Sequence, residues 1–368
     1  MQIGIGIDLT NETAENELTL LLNDAFTNDR SAGSVDGTSA EPGPGTRTVV
    51  DSAGTKLSIS GSELVFVGGS SLDPGIWYDA LDREAGLCLL VGKINFDDNL
   101  RFHIGFASSS GGTPGDVRRE AATLSTNDQV SLNLASWPAG AADYTIAIVL
   151  RPTGGYLLFK ESGTTWKLTW VEDTGTADPV YPALADKNGT DCTVDEVKAA
   201  VLGAGFGGQY DLATSRLAGS RSSGDTYTHE ADFVQRATVT TVPASGAVRI
   251  DFRIQDSDNL WSWTVNGSGD LSLSERIAGT NTVRGTAAAA IANGEAVTVV
   301  ADDETINIHD GGGTASRKIN YSSAANFKIE TAGEIQTIPG SGAVSDVECY
   351  PRILSGADLA AVEALENG

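Results

Sequence analysis

The chain has 368 residues, 40% of them apolar and 43 of them glycine, and its 49 acidic against 24 basic side chains give a formal net charge of −25. That surplus repels phosphate backbones, and no basic stripe interleaved with aromatic residues offsets it, so no nucleic-acid partner is expected. No stretch approaches the roughly 20 apolar residues of a membrane-spanning helix, and Met1 to Ile7 lack the basic start and apolar core of a secretory leader; membrane insertion is not expected, and the chain should leave cells by lysis or within a particle.

Taken in chain order, the first feature is Ile3, Ile5 and Ile7 alternating with glycine and aspartate, a short strand with no hairpin partner close by. Two roles fit it: an assembly strand that adds to a neighbouring copy, or an outer strand of the first domain. Thr10 to Leu22 opens with capping and acidic residues and carries Leu18, Leu21 and Leu22 on one side. That predicts a helix, and residues 1–22 read as an N-terminal strand-and-helix arm. Asn28 to Gly45, rich in Ser, Gly, Asp, Thr and Pro, reads as a long ordered loop or a mobile arm. Runs over Thr48–Val50, Lys56–Ile59, Leu64–Val67, Leu87–Ile94, Phe102–Phe106, Val130–Leu134, Tyr144–Leu150, Tyr156–Lys160 and Trp166–Val171 supply strands of a first sandwich over residues 23–202.

Residues 203–228 turn to Gly, Ser, Ala and Arg with weak periodicity and read as a linker. A second sandwich follows over residues 229–368, with strands such as Asp232–Val242, Val248–Ile254, Trp261–Val265 and Leu271–Ile277 and a closing helix capped by Ser355. The fold class is therefore all-β, two antiparallel sandwiches in tandem with short helical segments.

One pattern occurs in both halves. Lys93–Leu100 leads through Asp97-Asp98-Asn99 into Arg101–Ile104, and Arg253–Leu260 leads through Asp256-Ser257-Asp258-Asn259 into Trp261–Thr264. Asp and Asn tolerate the positive φ of a tight hairpin, so each copy reads as strand, turn, strand. The apolar phase after the shared Asp-Asn-Leu differs by one residue, however, and a one-residue change swaps the faces of a strand.

Two sets of segments resemble known families. Val344–Tyr350 with Pro351–Leu359 resembles the closing strand of concanavalin A-like, laminin-G-like jelly rolls, in which the terminus returns beside the first strand. Asn23–Thr27, Ala40–Arg47, Asp73–Tyr78, Asp256–Trp261 and Leu271–Gly279 are similar to segments of tailed-bacteriophage structural proteins that display tandem lectin-like sandwiches. The resemblance implies a virion-surface component whose partners are copies of itself and other virion proteins, and it brings no catalytic set.

Chemistry-bearing patterns are sparse. The two-Glu-and-Asp strand motif of retaining glycosidases is absent, no Gly-x-Ser-x-Gly elbow occurs, and His103, His229 and His309 form no ligand pair, so no enzyme is expected. Cys88, Cys192 and Cys349 match no zinc or redox spacing and read as structural thiols. The Asp-Asn corners offer oxygens to calcium but serve turns far more often, so neither metal nor cofactor is expected.

A lectin-like site needs an exposed ring beside carboxylate or amide groups. Trp77-Tyr78-Asp79, after a Pro-Gly turn, and Trp137, before Pro138, are the candidates, although large rings more often anchor cores. Trp261 and Trp263, two apart in a strand, share a face, the inner one. The function expected is a non-enzymatic fibre, decoration or tail subunit, with cell-surface glycans as ligand. The alternatives are a self-assembling architectural subunit without ligand and, further off, a polysaccharide depolymerase.

Overall fold

The computed structural model describes residues 18–368 apart from 52, 68–73, 84–85, 97–100, 108–109, 111–131, 134–141, 152–154, 162–164, 173–178, 188–191, 203–212, 311–316, 325–329, 339–341 and 353–356. The chain is all-β, two antiparallel sandwiches in tandem. The first contains β1 (Thr19–Asp24), β2 (Thr48–Val50), β3 (Leu57–Ser60), β4 (Glu63–Phe66), β5 (Gly75–Trp77), β6 (Leu87–Phe96), β7 (Arg101–Ala107) and β8 (Leu132–Asn133). It continues with β9 (Ala142–Leu150), β10 (Gly155–Glu161), β11 (Lys167–Glu172), β12 (Tyr181–Lys187), β13 (Cys192–Val194) and β14 (Val197–Val201).

The second contains β15 (Ser215–Ser220), β16 (Thr226–Thr228), β17 (Phe233–Thr241), β18 (Ala247–Asp256), β19 (Asn259–Asn266) and β20 (Leu271–Ile277). It ends with β21 (Thr280–Ala287), β22 (Glu295–Asp302), β23 (Thr305–Asp310), β24 (Arg317–Tyr321), β25 (Ala332–Thr337), β26 (Ala343–Pro351) and the helix α1 (Ala357–Asn367).

In the first sandwich a sheet ordered β11-β10-β9-β6 forks at the long β6, whose far edge takes β14 and then β1 along one half and β13, β4 and β3 along the other. A sheet ordered β2-β5-β12-β7-β8 faces it. The second sandwich pairs β15-β26-β17-β22-β23-β24 with β16-β25-β18-β19-β20-β21.

Alternation decides what each sheet buries. In the second sandwich Phe233, Val299, Val347 and Cys349 from one sheet meet Ile250, Phe252, Trp261, Trp263, Leu273 and Ile335 from the other. The intervening residues of β17, β22 and β26, namely Val234, Val300 and Tyr350, point outward, yet all are buried, because they join the core of the first sandwich. Ala361, Val362 and Leu365 of α1 join it too, the helix lying against β6 and β14. The β6-centred sheet is thus covered on both faces, which is why Ile146, Ala147, Ile148, Val149 and Leu150 are consecutively buried instead of alternating. The β17-containing sheet thus contributes to both cores, one on each of its faces.

Several expectations change. Thr19–Asp24 is a strand paired with β14, so Leu21 and Leu22 belong to the first sandwich and not to a helical arm; pairing and burial of Leu22 override the local helical spacing. Segment 203–228 is not wholly a linker, since β15 pairs with β26 and β16 with β25. The closing strand β26 does return beside β15, the first strand of its own sandwich.

The repeated pattern holds in one copy. β18 and β19 form a true hairpin, with Asp256 opposite Asn259. β6 and β7 lie in different sheets, because both edges of β6 are occupied by β9 and by β13 and β14, leaving β7 to join the facing sheet. The Asp97-Asp98-Asn99 corner lies outside the described residues.

Candidate functional site

Of the ring candidates, Trp77 and Tyr78 are corrected by burial. Trp77 stands on the outer side of the β5-containing sheet but is 0% exposed, packed with Ala107, Ala183 and Ala185. The ring lies flat because its neighbour is Gly75, where a Cβ would come 2.6 Å from Trp77 Cη2. Tyr78 points into the core and donates its hydroxyl to Asp24 Oδ2 at 3.0 Å. Burial and the Asp24 charge push that hydroxyl well above its usual pKa. Neither ring offers a face to a sugar. Asp79 is exposed, but its Oδ2 accepts the Thr46 backbone N–H at 2.9 Å and ties down the preceding loop. Trp137 and the strand Ile3, Ile5 and Ile7 lie outside the described residues.

The polar surface that the fold does assemble is the outer face of the β16–β21 sheet. Val248, Ile250 and Phe252 of β18, Trp261, Trp263 and Val265 of β19, and Leu271 and Leu273 of β20 all enter the core. Period-two alternation therefore sends Arg249, Asp251, Ser262, Thr264, Ser272, Ser274 and Arg276 outward. Register aligns them: Glu334 opposes Asp251, Asp251 opposes Ser262, and Ser262 opposes Ser274, while Arg249 opposes Thr264 and Thr264 opposes Ser272. Short hydroxyl side chains floor the face along β19 and β20, and charged residues stand on either side.

Two devices bound this face. Arg253 has φ 45° at a bulge, which turns its guanidinium away to the carbonyls of Ala231 and Asp303. At the sheet's end, the Asp256–Asn259 corner is locked to the β20–β21 hairpin: Ala278 N–H donates to Asn259 Oδ1 at 3.0 Å and Arg276 Nη2 to Asp258 Oδ1 at 3.3 Å. Asp256 accepts from the Asp258 N–H and the Asn259 amide, which holds its carboxyl below the usual range. The corner oxygens thus serve the turn.

The electrostatics centre on Asp251, which is 0% exposed although its strand position faces outward. Arg249 Nε donates to Asp251 Oδ1 at 2.6 Å and Arg249 Nη2 to Oδ2 at 3.1 Å. From the core side, the Tyr227 hydroxyl donates to the Asp251 carbonyl at 2.6 Å and pins the strand there. Burial, with the Glu334 charge opposite, raises the Asp251 carboxyl to about 6 against the pull of Arg249 and Arg276. Arg276 Nε is buried and has no hydrogen-bond partner among the described residues.

Sequence reasoning sought an aromatic platform and missed this hydroxyl and guanidinium face. Its signal was present: Val248-Arg249-Ile250-Asp251-Phe252, Trp261-Ser262-Trp263-Thr264 and Leu271-Ser272-Leu273-Ser274 each alternate apolar with polar. What the sequence lacked was the register that brings the three polar sets together.

No family model matches the chain, and no curated protein matches it. Among solved structures, it is similar to the carbohydrate-binding module CBM66 from Bacillus subtilis at 14% identity, covering 35% of this chain and 84% of that one with a TM-score of 0.28. Similarity to the Caenorhabditis elegans galectin LEC-6 runs at 11% identity over 39% of this chain and 99% of that one, TM-score 0.30. The CBM40 module of the Ruminococcus gnavus IT-sialidase, bound to α2,3-sialyllactose, matches at 10% identity over 42% of this chain and 99% of that one, TM-score 0.29.

Proposed function

We propose that the chain is a non-catalytic carbohydrate-binding structural protein whose ligand lies on the outer face of the β16–β21 sheet. The observation that carries this reading is the cross-strand alignment of Arg249, Glu334 and Arg276 around a floor of Thr264, Ser272 and Ser274. A saccharide presents hydroxyls that both donate and accept, so it can accept from a guanidinium N–H while donating to Glu334. The Arg276 side chain is 31% exposed, so its guanidinium supplies further donors on this face.

Asp251 and Glu334 are opposed carboxyls on adjacent strands, a pairing that hydrolysis could use. With Asp251 closed to solvent and both its oxygens held by Arg249, it does not reach a glycosidic oxygen, and binding is the better reading. The site lacks an aromatic ring among its described residues, which implies weak binding per copy and dependence on multivalent display. The sequence resemblance supports display on a virion surface, and Ile3, Ile5 and Ile7 are the candidate strand for addition to a neighbouring copy.

A glycan array probed with the full chain, displayed multivalently, tests the reading. Binding to a defined glycan class that is lost in Arg276→Ala and retained in Asp79→Ala is the expected result; an array without ligand, or binding indifferent to Arg276, refutes it. Deleting residues 1–9 should abolish self-association and leave glycan binding in place.

A further inference from the structure

Asp251 is the only outward-facing residue among Arg249, Asp251, Ser262, Ser274, Arg276 and Glu334 that solvent does not reach at all, yet it carries a carboxyl. Its surroundings are defined from every side. β18 itself supplies Arg249, β25 supplies Glu334 directly opposite, and β19 supplies the uncharged Ser262. β20 contributes Arg276, whose charge acts on Asp251 alongside that of Glu334. From below, the Tyr227 hydroxyl of β16 donates to the Asp251 carbonyl.

The side chain of Arg249 is 24% exposed, so it is the member of the pair that meets a ligand. Among the described residues its Nε and Nη2 both donate to Asp251, so that carboxylate fixes the plane of the guanidinium.

We propose that Asp251 is a positioning residue for the glycan face, holding Arg249 in place as a ligand donor and releasing it on mild acidification. This rests on the binding reading above and deepens it. The step is a proton transfer from solvent to a carboxylate oxygen of Asp251; Arg249 keeps its charge throughout, since guanidinium does not titrate in this range. A neutral acid holds the guanidinium far less strongly than a carboxylate does, and Arg249 then regains its rotamer freedom. Two features of the geometry place the transition near neutrality rather than in the usual aspartate range: complete burial and the like charge of Glu334 across the strand pair. The carboxyl is accordingly raised to about 6.

Two measurements on the full chain test this. The first follows the Arg249 Nε–H resonance by 15N-edited NMR from pH 7.5 to 4.5. A transition with a midpoint near 6 is expected in the natural chain, absent in Asp251→Asn and moved to lower pH in Glu334→Gln. The second measures binding, at pH 7.5 and 5.0, to the glycan class found on the array. Affinity should fall several-fold at the lower pH in the natural chain and stay level in Asp251→Asn. An Arg249 resonance indifferent to pH, or a transition that persists in Asp251→Asn, overturns the proposal. So does pH-independent binding, which would leave the glycan face intact and remove Asp251 from it. Absence of glycan binding at both pH values would instead refute the binding reading itself.

Discussion

Two aspartate–arginine pairs among the described residues have nearly the same geometry and opposite character. In the first sandwich Arg47 Nε and Nη2 donate to Asp24 at 2.7 and 2.6 Å, and both side chains are 0% exposed. Asp24 also accepts from the Tyr78 hydroxyl and the backbone N–H groups of Phe26 and Glu41, while Arg47 Nη1 donates to Thr38 and the guanidinium sits 5.7 Å from the Phe26 ring centroid. In the second sandwich the donors to the Asp251 carboxylate among the described residues come from Arg249, and Glu334 opposes it. The first pair is closed and satisfied, fastening the 24–47 loop; the second is half satisfied and faces the free sheet. Burial alone does not make a site, and the number of donors left to a carboxylate separates a fastener from a poised group.

The sharpest way to break this comparison is to remove each arginine. Arg47→Ala strands a carboxylate in a dry core and should cost about 3–5 kcal/mol of unfolding free energy, read from urea melts at pH 7. Arg249→Ala should cost less, about 1–3 kcal/mol, because Asp251 escapes by taking up a proton, and the loss should shrink further at pH 5. Equal losses at both pH values and both sites would show that the two pairs are alike.

Next in size is the pH dependence of the second sandwich. Asp251 is raised to about 6 in the folded chain from about 3.8, so between those values the folded state holds more protons and stability rises as the pH falls through 6. His229 acts in the other direction. It is 2% exposed, its Nδ1 and Nε2 meet the carbonyls of Glu230 and Ala332, and burial lowers it to about 4 from 6.5. The unfolded chain then binds the extra proton, and stability is lost as the pH falls below 6.5. The two terms oppose each other between pH 6 and 4. Asp251→Asn removes one of them, so this variant should lose on the order of 2 kcal/mol more than the natural chain from pH 7 to 4.5, measured by chemical denaturation across that range.

The loop and the free face were unequally legible in the sequence. The dense turn residues of Asn28–Gly45 announce a loop, ordered or mobile, because Asp, Gly and Pro chemistry is local, whereas the Asp24–Arg47 pair that fastens it is a tertiary contact. Trp261 and Trp263 go inward as their even spacing requires. The terrace of Arg249, Ser262, Ser274 and Glu334 depends on strand register across β25, β18, β19 and β20, with Glu334 more than 80 residues beyond its partner, and local spacing carries nothing about such pairing. The misreading of Thr19–Leu22 as helix has the same origin, since the partner that makes it a strand is Val197–Val201. Continuous apolar runs such as Ile146–Leu150 did mark strands, but only the stacking of the two sandwiches explains why both faces are apolar.

A third acidic contact completes the gradient and carries the smallest effect. Asp302, at the end of β22, accepts from Lys167 Nζ at 2.7 Å across the junction of the two sandwiches, with side chains 25% and 35% exposed. It also meets Arg352 Nη2 at 3.5 Å. Water reaches this contact, so its Coulomb energy is screened and the cost of ordering a lysine side chain offsets much of it. The apolar residues Val234, Val300, Tyr350, Ala361, Val362 and Leu365 hold the junction instead. Lys167→Ala should therefore cost less than about 1 kcal/mol, the loss should disappear in high salt, and unfolding should remain a single transition by fluorescence and circular dichroism. A second, separate transition in that variant would mean that the ion pair, rather than the buried apolar face, couples the two sandwiches.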